Sequence, residues 1–137
     1  MKNAVLLFFA LFLTFAFKGI ENKNPQEGTI TITYSFKSIE DGYDHLTKTL
    51  VYIDGVFITE SKPHKQSVET KISFNIKPGS YKIEIINYAY YDGKWEVHSK
   101  ENNYSLDCFY EGNIKLKKKL KINIVFDLDN GTFTKIK

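Results

Sequence analysis

Cysteine, proline and methionine are scarce: the 137 residues include one cysteine, three prolines and one methionine. A single cysteine, Cys108, excludes an intramolecular disulfide, so a hydrophobic core must hold the fold together. We interpret Cys108 as a small buried apolar side chain, with a reactive or pairing thiol as the alternative. The net charge of +3 is too mild to indicate a dedicated nucleic-acid partner.

Motifs for catalysis, metals and cofactors are also lacking. The histidines have no metal-ligand spacing to one another or to the cysteine, and no Gly-x-Ser-x-Gly elbow is present. Asp127–Gly131 begins like a calcium loop, but the later glutamate is missing and a tight turn explains the segment. We therefore predict no cofactor, no metal site and no enzyme activity. A triad assembled only in space is the alternative. The histidines are His45, His64 and His98.

The start of the chain carries an export signal. Lys2 precedes an unbroken apolar run from Ala4 to Phe17, which is shorter than the ~20 residues of a transmembrane helix. We predict a signal peptide over residues 1–17, a flexible leader over 18–27 and one domain over 28–137. The protein is expected to be secreted or periplasmic, with membrane anchoring by an uncleaved signal as the alternative.

Alternating apolar and polar residues fill the rest of the chain, and no segment has a convincing period of 3.6. About eight to ten short strands at regular spacing are typical of a β-sandwich or barrel. We predict an all-β fold, a single antiparallel β-sandwich of immunoglobulin-like or transthyretin-like type. The expected core is Ile30, Ile32, Tyr34, Phe36, Ile72, Phe74, Ile83, Ile122, Ile124 and Phe126.

Several local features follow from turn residues and from the phase of the alternation. Asp54-Gly55 and Asp92-Gly93 predict two-residue hairpins. The apolar positions shift by one residue near Ile85-Ile86, which predicts a bulge or bend there. Glu111-Gly112 predicts a turn between two short strands. Asn130-Gly131 predicts a final hairpin that places Phe133 opposite Leu128.

Two segments resemble the transthyretin-like (prealbumin-like) sandwich modules, such as PEGA domains and the carboxypeptidase regulatory-like domain. They are the hairpin Val51–Gly55 (VYIDG) and Phe74–Ile85 (FNIKPGSYKIEI), in which a Pro-Gly turn leads into a Tyr-led strand. The resemblance covers a third of the mature chain. It implies a tight turn that joins the two sheets and an accessory or surface module without catalysis of its own.

The aromatic-rich stretch Asn87–His98 is the predicted ligand or partner contact. The Asp92-Gly93 register pairs Tyr90 with Trp95 and places Tyr88 on the same face. We interpret that face as the buried side of the hairpin, with an aromatic binding platform as the alternative. Tyr91 lies on the opposite face and is the better candidate for an exposed contact.

Five lysines form the one charge cluster, which we interpret as the solvent face of strands protected against aggregation. They are Lys115, Lys117, Lys118, Lys119 and Lys121. Contact with an anionic glycan, lipid headgroup or acidic protein is the alternative.

The predicted function is an exported, non-catalytic binding or accessory module that contacts an envelope protein or glycan. It would bind no nucleic acid and keep no stable membrane span after signal cleavage. A small secreted hydrolase, or a structural subunit assembling by strand addition, are the alternatives.

Overall fold

The computed structural model describes residues 26–137, which form two packed β-sheets. The predicted signal peptide, and the predicted leader up to residue 25, lie outside the described residues. Within residues 26–137, no helix is long and apolar enough to cross a membrane. The strands are β1 (Gly28–Lys37), β2 (Leu46–Ile53), β3 (Val56–Glu60), β4 (His64–Lys65), β5 (Thr70–Ile76), β6 (Gly79–Tyr91), β7 (Lys94–Val97), β8 (Phe109–Leu116), β9 (Lys119–Asp127) and β10 (Gly131–Ile136), with a short 3-10 helix at Lys100–Asn102.

The first sheet has four strands in the order β10-β9-β1-β5. β1 and β9 run parallel, in a ladder from Thr29–Lys119 to Lys37–Asp127. The other two ladders of this sheet are antiparallel. The prediction of an all-β sandwich is confirmed, and the sheets are antiparallel apart from this one pair. The chain passes through the second sheet between β1 and β9, and such a long connection allows the return strand to run in the same direction.

The second sheet has six strands, with β3-β2-β6-β7 in a row, β4 paired to β2 and β8 paired to β6. β7 and β8 share one side of β6, along Tyr88–Tyr91 and Gly79–Ile86 respectively. The turn at Pro78 connects β5 of the first sheet to β6 of the second. A turn of this kind between the sheets is what the transthyretin-like resemblance implies.

The core lies between the sheets and is made of the inward residues of both. Every predicted core residue is buried except Phe74, which is half-buried and packs against the core. Phe74 belongs to β5, an edge strand of its sheet, where one flank is open. Cys108 is fully buried in the core cluster, which confirms its interpretation as a small buried side chain.

β6 keeps one alternation along its whole length, so the predicted bulge at Ile85-Ile86 is wrong. Ile83, Ile85, Asn87 and Ala89 point inward and are buried. The sequence misleads here because the inward position after Ile85 is the polar Asn87. The Asn87 amide is satisfied inside the sandwich by the threonines of β2, and the apolar residues between these positions lie on the outer face.

The turn predictions have mixed outcomes. Both Asp-Gly hairpins are confirmed, with positive φ at Asp54, Gly55, Asp92 and Gly93.

Glu111-Gly112 is not a turn, because β8 continues through it. A Cβ at Gly112 would collide with the Tyr110 ring, so glycine serves close packing here. After β9, Gly131 pairs with Asp127 and Phe133 with Val125, so the predicted Phe133–Leu128 pairing is also wrong. The Asp127 carboxylate accepts hydrogen bonds from the backbone and side-chain amides of Asn130 within this turn.

Candidate functional site

Part of the outer face of the six-stranded sheet is apolar, and we call this part the aromatic face; charged residues such as Lys82, Glu84 and Glu111 occupy the rest of that side. Cross-strand partners lie on the same side of a sheet, so the ladders define rows across this surface. One row joins Leu50, Ile86 and Phe109; another joins Lys48, Tyr88 and Val97. The exposed rings are Phe57 (51%), Tyr90 (41%) and Phe109 (47%), with Tyr52, Tyr88 and Trp95 half-buried among them.

Tyr90 and Trp95 pair across the hairpin, as the register predicts. Their interpretation as a buried face is wrong, because Tyr88, Tyr90 and Trp95 point away from the core. The Tyr90 and Trp95 ring centroids lie 5.1 Å apart with the planes tilted by 57°. The Lys48 ammonium lies 5.1 Å from the centre of the Trp95 ring and is 3.0 Å from Glu60. Trp95 therefore has a cation on its ring instead of an open, flat platform.

A cleft of about 300 Å³ opens at one end of the sandwich, where loops of both sheets meet. The β1–β2 loop contributes Tyr43 and His45, the segment after β7 contributes His98 and Tyr104, and the β9–β10 turn contributes Asp129. A second depression shares the central residues of this lining and extends it to Tyr91 and Asp92. We call the two together the end cleft.

Gln66 and His98 form the buried part of the end cleft, at 1% and 2% exposure. Gln66 Nε2 lies 3.2 Å from His98 Nδ1. The His98 ring stacks on Phe36 and contacts the tilted ring of Tyr104, with centroid distances of 5.7 Å and 4.3 Å. The other amide atom, Gln66 Oε1, is buried without any hydrogen-bond partner. An unpaired buried acceptor of this kind costs about 1–3 kcal/mol.

Burial decides the charge state of His98. Removal from water, reinforced by nearby His45, lowers the pKa of His98 from 6.5 to about 4. The imidazole is therefore neutral at pH 7, and its Nδ1 can accept the hydrogen bond from Gln66. His98 serves as a neutral, ordered part of the wall.

The tyrosines of the end cleft surround His45. The His45 ring meets Tyr43, Tyr91 and Tyr104 edge-on, at centroid distances of 6.1, 6.3 and 6.3 Å. Tyr104 donates a hydrogen bond of 3.0 Å to Glu96, and burial together with that carboxylate raises the Tyr104 pKa. Tyr91 is exposed at 58%, as the hairpin register predicts.

Carboxylates dominate the charged groups in the end cleft. Glu96 is partly neutralised, because it lies 3.6 Å from Lys94 and accepts from Tyr104. The other acidic residues of the lining are Glu40, Asp92, Glu101 and Asp129. The end cleft thus has negative charge in a protein whose net charge is +3.

Buried polar residues support this end of the sandwich. Asn87 accepts from Thr47 Oγ1 at 2.8 Å and donates to Thr49 Oγ1 at 3.0 Å. The Tyr34 hydroxyl donates to Ser61 at 2.9 Å and lies 2.8 Å from His64 Nε2. Because these buried groups satisfy one another, they fix the strand ends from which the cleft loops start.

The residue types needed for the hydrolase alternative are present in the end cleft, but they are not hydrogen-bonded to one another as a catalytic triad. Ser38 and Ser105 line the same cavity as His45 and His98. Ser38, however, donates to Asp127 at 2.8 Å, and His98 is engaged by Gln66. Among residues 26–137, no group of three or more His, Cys, Asp or Glu could hold a metal ion.

Sequence reasoning found part of this site and missed the rest. It singled out Tyr91, Tyr88, Tyr90 and Trp95, but the structure divides them: Tyr91 lies at the end cleft and the other three lie on the aromatic face. It missed Gln66 and considered His98 only among the histidines of a possible metal site or triad. One signal was available in the sequence. Asn87 falls on the same face of β6 as Ile83 and Ile85, which indicates a polar residue in the interior at this end.

Comparisons with known proteins identify no family. No protein-family model matches the chain, and no curated protein matches it. Among solved structures, it is similar to one described as a "putative cell adhesion protein" from Bacteroides ovatus, at 8% identity and a TM-score of 0.41, covering 82% of this chain and 44% of that one. It is also similar to a "Trapped Toxin" (12%, TM-score 0.39) and to listeriolysin O (13%, TM-score 0.34), each covering 81% of this chain. The chain spans only 23% and 22% of those two chains.

Proposed function

We propose that this chain is an exported, non-catalytic binding module that contacts a protein partner through the aromatic face. The observation that carries the proposal is the apolar part of the outer surface of the six-stranded sheet, which no element of residues 26–137 covers. Outer faces of antiparallel sheets are usually polar. A contiguous apolar patch on a folded surface is typical of an interaction site.

The chemistry of this face favours a protein over a glycan. A sugar ring stacks on an open aromatic plane, whereas Lys48 lies over Trp95 and Tyr90 is tilted against it. Rows of aliphatic and aromatic side chains with ion pairs at the margin resemble the core and rim of protein interfaces. The margin pairs are Lys48–Glu60, Lys82–Glu84 and Lys82–Glu111.

The transthyretin-like resemblance agrees with this proposal, because such modules have no catalysis of their own. Immunoglobulin-like or transthyretin-like topology within the sandwich class stays a prediction. Export and a location at the cell envelope or outside the cell are parts of the proposal, supported by the apolar run after Lys2.

Site-specific photo-crosslinking in the native cell tests the contact. A photoreactive phenylalanine at Tyr90 should give protein adducts. The matched control is the same residue at Ser73, an exposed position on the outer face of the other sheet. Equal adducts at both positions would contradict the proposal, and protease-resistant glycan adducts at Tyr90 would point to the glycan alternative.

Once the partner is identified, Trp95→Ala should weaken its binding by more than about 1 kcal/mol, because aromatic anchors dominate interface energies. Lys71→Ala, an exposed change on the other sheet, should leave the affinity within experimental error. Calorimetric titration of the purified pair measures both. Unchanged binding by the Trp95 variant would remove the aromatic face from the interface.

A further inference from the structure

The end cleft is a second candidate site, on a different part of the molecule from the aromatic face. It is a concave pocket lined by loops of both sheets, and its lining combines rings, carboxylates and amides. Pockets with a few convergent polar groups are the usual sites for small ligands. Nothing argued for the aromatic face depends on this cleft.

We propose that the end cleft binds an ammonium or guanidinium group. Three independent features of the cleft define this class of ligand. They are the sign of its charge, the faces of its tyrosines and the unpaired acceptor of Gln66.

The charge of the lining excludes anions and favours cations. Glu40 and Asp129 line the first depression, and Asp92 and Glu101 line the second. Lys94, the one lysine in this lining among the described residues, already faces Glu96 at 3.6 Å. Carboxylates that line a concave site attract opposite charge more strongly than carboxylates on a convex surface.

The rings strengthen the same preference. Tyr43, Tyr91 and Tyr104 surround the His45 ring, so a cation contacts these tyrosines beside that ring or after it moves aside. Aromatic faces carry negative electrostatic potential and attract organic cations. Tyr104 stays neutral because burial and the Glu96 carboxylate raise its pKa.

The unpaired acceptor distinguishes this ligand from others of similar size. Gln66 Oε1 is buried and unpartnered beside the neutral His98. Ammonium and guanidinium groups are donors only, so they complement this oxygen and the carboxylates of the lining. Gln66 Oε1 is closed to solvent, so a donor reaches it only when the Gln66 side chain or its neighbours shift, and the new hydrogen bond then removes the penalty of an unsatisfied buried group.

Nuclear magnetic resonance titration of the mature protein tests the proposal. The probes are acetyl-Lys-Lys-Lys-amide and 1,5-diaminopentane, with acetyl-Glu-Glu-Glu-amide and maltose as comparison ligands. Both amines should shift the backbone signals of Asn103 and Tyr104 and the side-chain amide signals of Gln66. Tighter binding of the peptide would identify a basic side chain of a protein as the source, and tighter binding of the diamine would identify a free amine.

Matched charge variants separate the cleft from general attraction. Glu40→Gln with Asp129→Asn removes two exposed cleft carboxylates and should weaken amine binding at least tenfold. Glu27→Gln with Glu111→Gln removes the same charge elsewhere and should change it less than twofold. Equal loss in both double variants, maltose binding in the cleft, or no amine-induced shifts at Gln66 would each overturn the proposal.

Discussion

At the scale of single residues, His98 makes the stability of the protein depend on pH. Its pKa is about 4 in the folded protein and 6.5 when unfolded. Between these values the unfolded chain binds the proton and the folded protein does not, so stability rises with pH. The contribution is fully present above pH 6.5 and is lost as the pH falls towards 4.

We therefore expect the free energy of unfolding to fall by about 3 kcal/mol between pH 6.5 and pH 4. Urea titrations across this range measure it. His98→Gln, which cannot titrate, should lower the stability at pH 7 but flatten the pH dependence in this window. An undiminished slope in that variant would show that another group is responsible.

Ile124 tests the core assignment at a single side chain. It is 1% exposed, between the two sheets. Ile124→Ala should cost about 2–5 kcal/mol, because it removes buried methyl groups and leaves a cavity. Lys121→Ala, on the outer side of the same strand, should stay within about 0.5 kcal/mol. Denaturant titration compares them, and a loss below that limit for Ile124→Ala would mean that its assigned face is wrong.

At the scale of elements, β8 depends on a glycine in mid-strand. A Cβ at Gly112 would meet the Tyr110 ring, so Gly112→Ala should destabilise the protein by about 1–3 kcal/mol through overpacking. Tyr110→Ala in the same background should recover part of that loss, since the obstructing ring is gone. A double-mutant cycle measured by thermal unfolding gives the coupling. Additive effects would contradict this account of the glycine.

The elements also show what the sequence predicts well. Strands such as β1 and β9 alternate apolar and polar residues, and their inward faces are the predicted core. Asp-Gly hairpins are equally readable, because positive φ at both turn positions restricts the residue types. Local chemistry decides these features, so a single sequence suffices.

Prediction failed where a partner from elsewhere in the chain decides the outcome. Asn87 points inward because Thr47 and Thr49 satisfy its amide, and these threonines lie on another strand. Gln66 and His98 meet only when loops distant in sequence converge. Gly112 resembles a turn residue until the Tyr110 ring is placed against it. Spacing along the chain carries none of this information.

At the scale of the whole molecule, the sequence predicts export. The run Ala4–Phe17 after Lys2 predicts cleavage on export, and intact-mass measurement of exported protein should show the loss of about 16–19 residues. Recovery of the full-length protein only in membrane pellets would instead support the uncleaved anchor.

The parallel pairing of β1 with β9 places the first residues of both strands at one end of the sheet and their last residues at the other end. Thr29 donates to the carbonyl of Lys118 at 2.9 Å, so the chain enters the sandwich beside the exposed lysines of the β8–β9 turn. Ser38 and Asp129 follow the other ends of these two strands and line the acidic cleft. The nine residues of β9 separate the two ends by roughly 27 Å.

The lysines of the β8–β9 turn and the carboxylates of the end cleft therefore lie at opposite ends of the β1–β9 pair, so a partner that contacts one charged region leaves the other open.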